Sequence, residues 1–206
     1  TFFDWIKTKD ATIEVPVTWQ EVQSVGQKII TVLTNGNYFN TEIKDGDTLI
    51  LDLKGVTADI FRPLAYDSGA NFFITAVRQW GGIYTEMGDD IRTGFIRFDT
   101  QATRNALTFF ENMYDTGVIG LPANWGEASY SSNPFKAVKT VMTISSSAGV
   151  TNNVPAGNLF EVDIRPIPYN ATGSRYVISQ GTNLAMFDRG TDEEKAASWK
   201  LIKFLT

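Results

Sequence analysis

Neither histidine nor cysteine occurs anywhere in the 206 residues. Without histidine there is no imidazole base, no Ser-His-Asp triad and no His-ligated zinc; without cysteine there is no thiol nucleophile, thiolate metal site or disulfide. Long apolar runs are missing too: no stretch approaches the roughly 18 residues that would mark a membrane span. Positive charge is scarce, with 18 Lys and Arg against 23 Asp and Glu for a net charge of −5. A phosphate backbone needs clustered cations to displace its counterions, so nucleic acid is not an expected partner. The sequence starts at Thr1 with no initiator Met, basic n-region or apolar h-region, so a signal peptide, if the native protein has one, is expected upstream of the residues shown.

What remains is enough for one sizeable core, since 43% of residues are hydrophobic and 20% charged. The clearest local signal is Val15-Pro16-Val17-Thr18-Trp19-Gln20-Glu21-Val22. Thr18 can accept from the orphan N–H groups of a first helical turn, and Glu21 can reach back to the Thr18 amide, which makes a capping box. Pro16 keeps the preceding segment out of the helix. Val22, Val25, Ile29 and Val32 or Leu33 follow at helical spacing and predict a buried face, with Trp19 on the same stripe, until Asn35-Gly36-Asn37 ends the helix.

Alternating elements are expected along the rest of the chain. Thr1-Phe2-Phe3 reads as the end of a strand, and Glu42 to Leu53 as a small hairpin around Asp45-Gly46. Asn71 to Trp80 is apolar nearly all round and predicts a core helix, with Asn71 as its cap, Trp80 packed inside and Gly81-Gly82 as its stop. Asp99 or Thr100 caps a third helix with a stripe of Ala106, Phe109, Phe110 and Met113, ending at Gly117. Asn133-Pro134 opens a short helix through Lys139, Val141 to Ile144 is a compact strand, and Glu161–Pro168 and Tyr176–Phe187 are two more. Thr191-Asp192-Glu193-Glu194 is a second capping box before a final helix. Together they predict one α/β body.

In order, these motifs resemble the maltose-binding-like extracellular solute-binding proteins that serve ABC sugar importers. Pro16-Val17-Thr18-Trp19-Gln20-Glu21 is similar to that family's helix start, Phe72 to Gly82 to its helix ending in Gly-Gly, and Phe98 through Ile119 to the long helix that follows. Phe135 to Ile144 is similar to its Phe-x-x-Gly-x-x-Ala-Met-x-Ile element, with Ala137 or Val138 where Gly is usual. Phe160 to Pro168 resembles the strand that crosses between lobes, and Ala196 to Thr206 the helix ending Phe-Leu-Thr. The resemblance implies a type II periplasmic-binding-protein-like lobe, a mixed sheet flanked by helices, incomplete against the two-lobed family fold. Residues 1–162 would supply most of the C-terminal lobe, and 163–206 the hinge-crossing strand and the segment returning to the other lobe.

The resemblance also implies a binding protein rather than an enzyme. It would hold a carbohydrate between two lobes and deliver it to ABC permease subunits, at the outer face of a bacterial membrane or in a periplasm, with no cofactor or metal and with any lipid anchor upstream. Sugars present apolar C–H faces and rims of hydroxyls, so such a cleft needs aromatic rings and directional polar groups. By position in the resemblance these are Asp67, Ser68 and Asn71, then Trp125 and Glu127, then Ser145, Ser146 and Ser147, with Gln180 in the segment Ser179-Gln180-Gly181-Thr182.

Each has a plainer role open to it. Trp125, among Pro, Asn and Gly, suits a stacking platform or packing over the core edge; Ser145 to Ser147 suit a ligand or a helix cap. Asp45-Gly46-Asp47 and Asp89-Asp90 lack the spacing of a calcium loop and read as solvated turns. A receptor for a peptide, polyamine or anion stays open, as does a hydrolase with paired carboxylates, although no spacing marks an acid and base pair.

Overall fold

The computed structural model describes residues 1–90, 92–181 and 183–206, and of Asn158 the backbone alone. The chain opens with helix α1 (Phe2–Lys7), not the strand end expected from Thr1-Phe2-Phe3. Thr1 and Asp4 form a capping box of their own, and the turn it nucleates rolls Trp5 and Ile6 into the interior. Thr18 opens α2 (Trp19–Asn35) as its motif predicts, accepting from the Glu21 amide at 3.2 Å. Glu21 Oε2 in turn accepts from the Val17 and Thr18 amides at 2.8 and 2.9 Å. Trp19, Val22, Val25, Ile29 and Leu33 form the buried stripe, and Gly36 closes the helix.

Strands β1 (Glu42–Asp45) and β2 (Thr48–Asp52) pair antiparallel across Gly46-Asp47, where the Asp-Gly signal places the turn. β3 (Leu64–Tyr66) follows, then α3 (Gly69–Gln79). That helix starts two residues ahead of Asn71, which therefore lies in its first turn and is not its cap. Ser68 holds the cap position instead, in a left-handed conformation (φ 52°, ψ 83°) with no side-chain cap bond. A second hairpin, β4 (Thr85–Met87) with β5 (Gly94–Ile96), precedes α4 (Gln101–Asp115). Thr100 caps α4 as expected, accepting from the Thr103 amide at 3.2 Å.

Short β6 (Ile119–Gly120) and a tight turn over Pro122–Trp125 lead to α5 (Ser132–Lys136). α5 starts one residue before the expected Asn133 cap and stops short of Lys139, because Val138 turns the backbone out of the helix at φ 57°. β7 (Met142–Ile144), α6 (Val150–Asn153) and α7 (Asp192–Leu205) complete the order, the last opened by the Thr191 and Glu194 capping box. Among the described residues, neither of the two strands expected at Glu161–Pro168 and Tyr176–Phe187 forms. A strand exists only with a partner to take its N–H and C=O groups, and the ladder contact described for this stretch is an isolated bridge between Tyr169 and Thr18.

The central sheet has the order β6-β3-β7 and is parallel throughout. Leu64 lies opposite Ile119 and Met142, and Tyr66 opposite Ile144. One core packs beside it, with Trp19, Val22, Tyr66, Ala76, Ala106, Phe110, Met113 and Ile119 in contact. The Trp19 ring meets Phe110 edge-on at 4.8 Å between centroids, and Trp80 packs on Phe109 and Phe110 as the helical stripe predicts. A second core joins α1, the lower part of α2 and the β1–β2 hairpin through Ile6, Ile29, Leu33, Ile43 and Leu53. α2 feeds both, and each large apolar side chain so buried contributes about 1.5–3 kcal/mol.

A buried polar knot ties the late, strandless segment to this body. Trp19 Nε1 donates to Gln79 Oε1 at 2.6 Å, and Gln79 Nε2 donates to the Pro168 and Tyr176 carbonyls at 3.1 and 2.8 Å. Gln20 adds a bond to Asn170 Oδ1 at 2.9 Å, and Ser174 N donates to the Gln79 carbonyl at 3.1 Å. Gly173 lies so close that a Cβ there would overlap that carbonyl, so a side chain cannot replace it without moving the knot.

Candidate functional site

In an open parallel sheet the strand ends that point carboxyl-first leave a crevice in which loops converge, and ligands bind there. Here β3 ends in Tyr66-Asp67-Ser68 and β7 in Ile144-Ser145-Ser146. The two ends are joined directly, since the Asp67 amide donates to the Ile144 carbonyl at 2.9 Å. Tyr66 is sealed beneath them, and burial pushes its phenol up to about 12, so it stays protonated and serves as core.

Asp67 is 7% exposed, which is too buried for a carboxylate without partners. Its Oδ1 accepts from both the amide and the hydroxyl of Ser131, which has no exposed surface. The Ser131 hydroxyl has spent its proton on Asp67, so the 2.6 Å contact with Thr143 must have Thr143 as donor. Thr143 sits on β7 opposite Ala65, so a relay runs from β7 through the start of α5 to the end of β3. Asp67 Oδ2 takes no bond from any described residue. The carboxylate is thus fixed by one oxygen and offers the other.

Ser145 is held from the opposite direction. Its Oγ accepts from Asn153 Nδ2 at 3.0 Å, which leaves its own proton uncommitted among the described residues. Asn153 is 7% exposed, and its Oδ1 has no described partner. Ser146 caps the tight turn that follows β7, accepting from the Ala148 amide at 3.3 Å, and Ser147 is exposed within that turn.

The structure brings together Asp67, Ser68 and Ser145 to Ser147, and it sets Asn71 half-buried one turn into α3. Glu127 is half-buried and joins this face indirectly, accepting from Asn133 of α5 at 3.1 Å. Trp125 is held elsewhere: its Nε1 donates at 2.9 Å to Ile60, on the amino-terminal approach to β3, and its ring lies over Gly120, where a Cβ would collide with it. Gln180 is exposed and has no described bond to the other candidates, and its neighbour Thr182 lies outside the described residues. Sequence reasoning missed Ser131 and Thr143, which look like ordinary turn and strand residues and meet Asp67 only through contacts more than sixty positions apart in the case of Ser131.

The arrangement is suited to hydrogen-bonding a polar neutral ligand: a fixed carboxylate acceptor, a hydroxyl donor and small flanking residues. Asp89 and Asp90 lie in the β4–β5 turn, where Asp90 Oδ1 accepts from the Arg92 amide at 2.9 Å, away from the sheet ends. A family model described as bacterial extracellular solute-binding protein matches residues 4–206. No curated protein and no solved structure gives a match.

Proposed function

Because the chain belongs to the bacterial extracellular solute-binding proteins, we propose that it captures a carbohydrate, an oligosaccharide, at the carboxyl ends of β3 and β7 and passes it to the permease of an ABC importer. The observation that carries this is the divided carboxylate of Asp67, whose Oδ1 is fixed by Ser131 while its Oδ2 is left to accept from a ligand hydroxyl. Ser145, with a hydroxyl proton to give, supplies the complementary donor. In this proposal Ser68, Asn71, Glu127, Ser146 and Ser147 line the approach, while Trp125, held at Ile60 and Gly120, and the exposed Gln180 stand apart from it. The protein acts without turnover, outside the cytoplasm, and a lipid anchor upstream of these residues would hold it at the membrane.

Residues 1–162 form most of one lobe in this account, and 163–206 cross to a second. Support comes from α7, which buries none of its residues, and from Phe187 and Phe204, 82% and 84% exposed. Large apolar rings left this open are what an interface with a further body would cover.

A thermal-shift panel on the protein from its complete reading frame tests the ligand class. Neutral oligosaccharides should raise the melting temperature with concentration, as binding to the folded state alone requires. A polyamine also suits a carboxylate, whereas an anion is repelled by it; a shift with spermidine, a peptide or phosphate and none with any sugar would overturn the proposal. Release of shortened sugars on incubation would overturn its non-catalytic part.

A further inference from the structure

Asn153 closes α6 and is 7% exposed, so its amide has to be accounted for within the protein. Its Nδ2 gives one proton to Ser145 Oγ at 3.0 Å and the other to the Gly149 carbonyl at 3.1 Å, while its Oδ1 is buried with no described partner. A buried acceptor left unbonded is costly, so the amide is not oriented for the sake of its oxygen. Gly149 sets the orientation. A backbone carbonyl only accepts, and turning the amide over would bring two oxygens face to face across the 3.1 Å that the bond now spans. Ser145 is therefore obliged to accept from Asn153 and to turn its own proton elsewhere.

We propose that Asn153 is a positioning residue of the site: it makes Ser145 a fixed donor, so that the β7 end reads an acceptor oxygen of the ligand. A ring, glycosidic or hydroxyl oxygen meets that need, while Asp67 at the β3 end reads a hydroxyl proton. A free serine hydroxyl serves as donor or acceptor alike; held by Asn153, it rejects a ligand that brings a donor to that place. This rests on the carbohydrate assignment above and adds to it the polarity of one contact.

The test is calorimetric titration of the protein from its complete reading frame with maltotriose, cellotriose, xylotriose and raffinose. Whichever sugar binds is then titrated into Ser145→Ala, and into Asn153→Asp and Asn153→Leu, each alone and combined with Ser145→Ala. Asp matches the shape of Asn but carries at most one proton, which the Gly149 carbonyl takes, so its other oxygen captures the Ser145 proton. Affinity should fall about tenfold or more. Leu also matches the shape, has neither donor nor acceptor and leaves Ser145 free to rotate, so it should cost only about twofold to fivefold. Leu also removes the buried unpaired oxygen, so that variant should fold even where Asp is too costly to bury. Combined with Ser145→Ala, neither Asn153 change should lower affinity further, because the effect runs through Ser145. A further loss there as large as in the single variants would make Asn153 a loop support and overturn the proposal. Full affinity in Asn153→Asp, or a larger loss in Leu than in Asp, overturns it as well. Unchanged affinity in Ser145→Ala overturns it and leaves the carbohydrate assignment standing. Failure of the unaltered protein to bind any of the four, or any sugar in the thermal panel, overturns that assignment and this inference with it.

Discussion

Asp67 holds Ser131 through one oxygen, and in the proposed function the other serves the ligand, so the two roles should separate by mutation. Asp67→Ala leaves the Ser131 amide buried without an acceptor, so it should lose about 1–3 kcal/mol in urea unfolding as well as ligand affinity. Asp67→Asn keeps an acceptor for Ser131 and should recover much of the stability, but it replaces the offered carboxylate with an amide and should bind more weakly. Equal stability in all three proteins, measured by denaturant midpoint, would mean that the Ser131 bonds hold nothing in place. Gln79 is a second buried polar residue with more than one duty, joining Trp19 to two carbonyls of the late segment. Gln79→Ala strands the Trp19 indole N–H and should cost about 1–3 kcal/mol. It should also expose residues 168–176 to limited proteolysis before the rest of the chain. Cleavage starting elsewhere, with 168–176 still protected, would show that the knot does not hold that segment.

At the scale of elements, α2 is where sequence and structure agree most fully, and the agreement has a physical basis. Its start is written in side chains next to one another in the sequence, and its buried stripe repeats every turn. Thr18→Ala should cost about 0.5–2 kcal/mol, as loss of an N-cap does. The Glu21 carboxyl is held below its ordinary value by the Val17 and Thr18 amides. A depressed carboxylate stabilises the fold above its unfolded pKa, about 4.5, and that contribution fades as pH falls through the folded value. Glu21→Gln should therefore flatten the acid limb of the stability curve below about pH 4.5, and an unchanged limb would exclude the box as its source. Other elements were hidden for equally physical reasons. β3 is buried on every residue and shows no alternation. The strands expected after Phe160 have suitable residues but no described partner, and pairing is not a local property. Asp67 and Ser145 were legible through their place in the resemblance, whereas the Ser131 and Thr143 relay depends on contacts that no local pattern announces.

For the whole molecule, the carboxyl ends of β3 and β7 lead into Asp67 and Ser145, while Phe187 of the late segment and Trp199, Leu201, Phe204 and Leu205 of α7 are exposed. The first of these surfaces is polar and held by buried bonds. The second is apolar and uncovered. In the proposed function they meet different partners, a hydroxylated ligand for one and a protein surface for the other. Among the described residues no helix is long and apolar enough to cross a membrane, so the exposed rings of α7 are not those of a spanning segment. The central claim is that solute is taken at the carboxyl ends of β3 and β7. Amide hydrogen exchange on the protein from its complete reading frame, with and without a saturating oligosaccharide, tests it most directly. The account predicts slowed exchange at residues 67–71, 130–131 and 145–147, and no change in the β4–β5 hairpin. Slowed exchange confined to that hairpin or to α7, with 67–71 and 145–147 unaltered, would contradict it.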